Sequence, residues 1–297
     1  MRIGKLFHLT PLVDSLADAE FFFDSLFSPL CMMRNYSPHW HRHAAIYVIA
    51  DTSIEPMHVL PPVDGGEATS WYRYMAKHGP RVHNMAFYVD DVGALEKRLT
   101  DAGLRTTDAG AGGGTIFVHP KDTPGMLEFS QPDEPFAWHR NDPRFTPSWR
   151  DFSREFWTNG HALGVEHLSH ITLVVHDVDA ARRFYTEILD AVALPDQTGT
   201  PGTESTFVLV GEDTVLELAR PTDDTSVLGR ELSQVGQCVT GVTFKVADAA
   251  RAAEHLTLRQ APVAAIGNHD ITLDRTRTWN TDYRFTDLSL VGDPREG

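Results

Sequence analysis

A strand-then-helix unit occurs four times along this chain, and that repeat limits what the chain can fold into more than any other feature. The copies read KLFHLTPLVDSLADAEFFFDSLF from Lys5, VHNMAFYVDDVGALEKRLTDAGL from Val82, LSHITLVVHDVDAARRFYTEILD from Leu168 and TGVTFKVADAARAAEHL from Thr240. They recur at an average of roughly 75 to 80 residues. Each opens on a β-branched and apolar run and continues into apolar residues at three- and four-residue spacing, as in Ala180, Phe184 and Ile188 or Leu95, Leu99 and Leu104. Ser15 with Asp18 predicts a helix cap, and Gly103 and Asp190 predict helix stops. Further strand-like runs follow each helix. The last one before a proline reads MHVLPP from Met57, MLEFSQP from Met126 and VLELARP from Val215. Each unit is therefore expected to be βαβββ, with the fourth, ending in DYRFTDLSL, the weakest. The fold class that follows is α+β.

Between Pro132 and Gly164 runs a stretch rich in Pro, Trp and Asp that matches neither repeat. We expect a first domain over residues 1–135, a connector over 136–163 and a second domain over 164–297, each domain a pair of units. With 41% apolar and 23% charged residues, 297 residues can supply two such cores. A net charge of −15 without a cluster of Lys and Arg repels phosphate backbones, so nucleic acid and anionic membrane are not expected partners. The remaining partner class is a small molecule. The first residues lack the apolar stretch of an export signal, and Cys31 and Cys238 are too few for a disulfide framework or a thiolate metal site, so a reducing cytoplasm is the expected setting. Any metal would then rest on imidazoles and carboxylates.

The chain has 15 His, and their positions say more than their number. In the first unit His58 follows His8 by 50 residues, and in the second Glu128 follows His83 by 45. In the third, Glu217 follows His170 by 47, while the fourth offers Gly241 in the first slot and neither His nor Glu in the second. If paired units share a cavity, His8, His58, His83 and Glu128 converge there as three imidazoles and a carboxylate, a set suited to one divalent ion, with Zn, Ni, Co, Mn and Fe all open. His170 and Glu217, whose partner unit completes no set, are expected to serve packing and a hydrogen bond. His39, His41 and His43 form a second cluster, read as a solvated turn or a proton-transfer group.

These residues resemble the vicinal oxygen chelate superfamily, which includes glyoxalases, bleomycin resistance proteins and extradiol dioxygenases. The segment TIFVHPKDTPGMLEF is similar to the end of a methylmalonyl-CoA epimerase, and LSHITLVVHDVDAARRFYTEIL to the opening of a glyoxalase-type module. The resemblance implies four βαβββ modules paired into two domains, with the armed metal site in the first. It implies His8, His58, His83 and Glu128 at the four ligand positions, His58 being a departure where relatives carry Glu or Gln. It also places an acid or base about 17 residues before the second ligand, where His41 stands. The implied activity is an isomerase, epimerase or lyase working through a metal-stabilised enolate. The alternatives are an Fe(II) extradiol-type dioxygenase, which His58 as a ligand would obstruct, and a metal-free binding or resistance protein; a homodimer is an open option.

Overall fold

A computed structural model describes residues 1–63, 66–108, 114–132, 142–145 and 154–296, so the stretch read as a connector lies partly outside the described residues. The four units are present. The first is β1 (Ile3–Leu12), α1 (Leu16–Phe27), β2 (Leu30–Ser37), β3 (Arg42–Ile49) and a last strand in two pieces, β4 (Thr52–Ile54) and β5 (Met57–Val59). After α2 (Ser70–His78) comes the second unit, β6 (Arg81–Val89), α3 (Val92–Asp101), β7 (Thr106–Asp108), β8 (Thr115–Val118) and β9 (Leu127–Ser130). The third is β10 (Val165–Val174), α4 (Val178–Arg183), β11 (Val192–Ala193), β12 (Thr203–Val210) and β13 (Thr214–Pro221). Following α5 (Val227–Val235), the fourth is β14 (Cys238–Val246), α6 (Ala249–Leu258), β15 (Val263–Ile266), β16 (Asp270–Leu273) and β17 (Asp282–Thr286). Local signals act as expected: Ser15 accepts from the Asp18 N–H, and Gly103 and Asp190 take left-handed backbone past their helices.

The first two units form one sheet in the order β2-β3-β4-β1-β6-β9-β8-β7, and the last two repeat it as β11-β12-β13-β10-β14-β17-β16-β15. In each sheet the units meet through their opening strands, β1 against β6 and β10 against β14, both antiparallel. Helix α1 carries Phe23 and Phe27 into the second half, where Phe27 meets Phe244 and Phe285 and Phe23 stacks on Trp279. The buried apolar side chains of both halves thus form one continuous core. Polar ties cross the same boundary. Tyr185 donates to the Pro124 carbonyl at 2.7 Å, and the buried Arg81 and Glu231 pair at 2.6 Å.

Both opening strands are bulged just before a histidine, at Phe7 and at Ser169. A bulge frees carbonyls from the ladder, and buried carbonyls need donors. The same tripeptide supplies them twice. Arg144, gripped by Asp142, donates to the Leu6 and Phe7 carbonyls at 2.6 and 2.7 Å, and Arg295, gripped by Asp293, donates to those of Leu168 and Ser169 at 2.8 Å. Both are Asp-Pro-Arg, and the first falls within the stretch expected to be connector yet packs on the first sheet. Arg144 and Asp142 are 1% and 0% exposed in their side chains. Removing one member of such a pair leaves a buried charge uncompensated. Asp142→Ala should therefore lower the unfolding free energy by about 3 to 5 kcal/mol in urea denaturation, whereas Lys97→Ala, which removes the exposed Lys97–Asp101 pair, should change it by less than about 1 kcal/mol.

Candidate functional site

His8 stands at the centre of the first sheet. It lies opposite Ala86 on β6, and Ala86 lies beside Glu128 on the parallel β9, so His8 and Glu128 face the same cavity. On the other flank β4 runs parallel to β1, and Glu55 follows its last residue, its N–H bonded to the Leu9 carbonyl at 2.7 Å. His8 Nε2 is 3.4 Å from a Glu55 oxygen and 3.6 Å from a Glu128 oxygen. Those separations are long for N–H···O hydrogen bonds, which fall at about 2.7 to 3.2 Å. They are nearer the spacing of two donors sharing one ion, about 3.0 to 3.4 Å at octahedral or tetrahedral angles.

Two neighbours complete the cluster. Arg42 Nη1 donates to the second Glu55 oxygen at 2.8 Å, and Asn84 Nδ2 donates to Glu128 at 2.8 Å. Burial pushes the Glu55 carboxyl up, but the Arg42 guanidinium, by its charge and its hydrogen bond, together with the neighbouring His8 ring, outweighs it and holds Glu55 below the usual carboxylate range. The cavity above measures about 230 Å³, and Met33, Trp40, Met57, Trp71 and Phe117 form its apolar wall. The donor set suits a divalent ion. Glu55 and Glu128 flank His8 without all three donors coming within 4.8 Å of one another, so a single ion would have to draw the two carboxylates together.

Of the four ligands expected from the sequence, the fold brings together His8 and Glu128. Strand alternation sends His58 away: Met57 and Val59 pack toward Trp71, while His58 between them bonds the Val13 carbonyl through Nδ1 at 3.2 Å. His83 is displaced by a bulge. Thr10 pairs with Asn84 and the next residue, Pro11, with Val82, so His83 is the unpaired extra residue and its ring packs edge-on to Tyr74 at 4.7 Å, facing other cavities. Asn84 takes the slot expected for it. His41 sits in the turn before β3 with left-handed backbone at φ 49°, and its neighbours Trp40 and Arg42, not its own ring, line the cavity. His39 meets Trp40 edge to face, and His43 is exposed against Tyr36.

Glu55, Asn84 and Arg42 were missed, although the sequence held a signal for the first: Glu55 follows His8 by 47 residues, the same interval as Glu217 after His170. The second half shows what that slot looks like when filled. His170 is 3.7 Å from Glu217, but Glu217 also accepts from Thr172 and Ser205 and from both the hydroxyl and the N–H of Thr200. Arg284 stands where the first half has Glu128, beside Thr243, the residue opposite His170. Burial lowers the His170 pKa to about 4 against the pull of Glu217. Among the described residues, His167, Asp293 and Glu296 also cluster, but Asp293 is held by Arg295 as described above.

A sequence profile of the Glyoxalase/Bleomycin resistance protein/Dioxygenase superfamily matches residues 167–289. That match lies wholly within the second half of the chain. The strand order of the second half is the order found in the first. Over both halves the fold is similar to that of a triple mutant of 4-hydroxymandelate synthase from Streptomyces coelicolor, with a TM-score of 0.68 at 16% identity, covering 95% of this chain and 92% of that one. Shorter structures match in part. Methylmalonyl-CoA epimerase from Mycobacterium tuberculosis is 18% identical over 41% of this chain and 87% of its own, with a TM-score of 0.37, and a hypothetical protein of Bacillus halodurans C-125 is 22% identical over 44% and 96%, with a TM-score of 0.39. No curated protein matches the chain by sequence.

The two copies of the site should respond differently to loss of a carboxylate. Glu217→Leu strands several buried donors and should cost at least about 3 kcal/mol of stability. Glu128→Leu, which removes one hydrogen bond from Asn84 in an open cavity, should cost less than about 2 kcal/mol by the same urea measurement.

Proposed function

We propose that the cavity of the first half holds one divalent ion through His8, Glu55 and Glu128, and that the chain is a metal-dependent enzyme of the glyoxalase or epimerase kind. Its substrate is a small molecule with two neighbouring oxygens. The observation that carries this reading is the contrast between the two copies of the site. Glu217 has its oxygens taken up by Thr172, Thr200 and Ser205, whereas Glu55 and Glu128 each keep an oxygen toward His8 across an open cavity. An ion bound there would polarise a substrate carbonyl and stabilise an enolate, the chemistry of isomerases, epimerases and lyases.

The chain's own groups have separate tasks. Arg42 keeps Glu55 ionised, and its Nε is buried with no partner among the described residues, a donor available to a substrate oxygen. Trp40, Trp71, Met57 and Phe117 exclude water from the reacting end. Proton transfer by His41 requires the turn at residues 38–41 to swing so that His41 replaces Trp40 in the cavity, and unchanged turnover in His41→Ala would remove it from the mechanism.

A dioxygenase is the second reading, and the position of His58 favours it. With His58 turned to Val13, the chain would offer an ion three donors and not four, which would leave room for a bidentate substrate together with O₂, although one imidazole and two carboxylates replace the usual two and one. Metal analysis of the full chain as isolated separates the readings when combined with an O₂ electrode. The account expects about one equivalent of metal per chain, lost in His8→Ala and in Glu128→Ala and kept in His58→Ala. Substrate-dependent O₂ uptake would select the dioxygenase. A full fold with no metal at any stage of purification would select a binding protein.

A further inference from the structure

Behind the wall of the His8 cavity lies a second one of about 400 Å³, whose large apolar lining residues are Trp40, Trp71, Tyr74, Phe117 and Met126, with Ser70, Thr107, Asp108 and His119 also at its rim or wall. Trp40, Trp71 and Phe117 line both cavities. Their rings sit edge to face, Trp40 to Trp71 at 5.1 Å and Trp71 to Phe117 at 6.3 Å. A space of this size with aromatic walls suits a flat apolar group of one or two rings. One polar side chain of the lining, His83, is tied to the cluster next door.

Hydrogen bonding fixes the face that His83 presents. Asn84 Nδ2 donates to a Glu128 oxygen at 2.8 Å, and that contact sets which way the Asn84 amide points. The Asn84 oxygen then faces His83 Nδ1 at 2.9 Å and can only accept, so Nδ1 carries the ring proton. Burial lowers the His83 pKa to about 4 against the opposing Asn84 hydrogen bond, and the ring is neutral at pH 7. Nε2 is left as a bare acceptor with no partner among the described residues, on a ring that lines both this cavity and a neighbouring one of about 380 Å³. An apolar occupant without a donor would leave Nε2 desolvated and unpaired.

We propose that the cavity behind Trp40 and Trp71 receives the flat, apolar end of the substrate, and that His83 Nε2 selects molecules carrying a hydroxyl or N–H there. This deepens the proposed function by describing the end of the substrate opposite the paired oxygens. The chain His83–Asn84–Glu128 joins the two ends, so a donor bound at His83 also steadies the carboxylate beside His8.

The test uses the full chain and two probe pairs that differ in one donor, indole against 1-methylindole and 2-naphthol against 2-methoxynaphthalene, with Kd read by ligand-observed NMR. The donor member of each pair should bind at least about fivefold tighter. His83→Phe keeps an aromatic ring without the acceptor and should bring both ratios to about one, while Trp71→Leu weakens all four probes. Equal affinity within the pairs on the wild-type chain, a ratio that survives in His83→Phe, or no binding by any probe up to its solubility limit would overturn the proposal. None of the probes carries paired oxygens. Probe selection without metal would therefore sink only the proposed function, and a full metal equivalent without probe selection would sink only this inference.

Discussion

The antiparallel pairing of the opening strands, β1 with β6, decides which side chains reach the cavity. Alternation along a strand sends neighbours to opposite faces, and each bulge resets that count by one. The bulge at Phe7 and the one at His83 together put His8 and Asn84 over the cavity and turn His83 into the adjoining space. The second sheet carries the same bulges, at Ser169 and at Thr240, so the device belongs to the repeat and not to one site. Its cost is a set of carbonyls outside the ladder, and in both halves an Asp-Pro-Arg turn covers them.

Two carboxylates beside one imidazole in a buried strand centre are expensive unless something balances them. The two halves meet that constraint differently. Around Glu217, hydroxyls and a backbone N–H take up the oxygens, and Arg284 stands in the place of the second carboxylate. Around His8, Arg42 balances Glu55, and Glu128 has Asn84 as its donor and a cavity in front of it. Two acidic groups with one guanidinium leave a negative balance that a cation would complete. Proteins accept local cost of this kind where function requires it.

The repeat, the order of strands and helices and two residues of the cluster, His8 and Glu128, were legible because period and composition act locally. His58 was misplaced for a local reason as well. Pro56 breaks the last strand of the first unit in two, and Pro61 and Pro62 then follow β5 in the way a single proline follows β9's segment and ends β13. A register read from the terminal proline lands three residues late, on His58 instead of Glu55. His83 was misplaced because a bulge has no signature in one sequence: VHNM alternates as well with His83 inward as with Asn84 inward. Arg42 and His41 pose the same ambiguity at the mouth of a turn. The Asp-Pro-Arg turns were legible as identical tripeptides, but only their packing on the bulged carbonyls gives them meaning.

The proposed site holds one cation between His8, Glu55 and Glu128 and none at the matching position in the second half. Anomalous diffraction from crystals of the full chain equilibrated with Mn²⁺ or Zn²⁺ tests it most directly. The account predicts one peak per chain within about 2.0 to 2.3 Å of His8 Nε2 and of carboxylate oxygens from Glu55 and Glu128, with no peak beside His170. A peak at His170 and Glu217, or one coordinated by His58 or His83 with His8 left out, would contradict it.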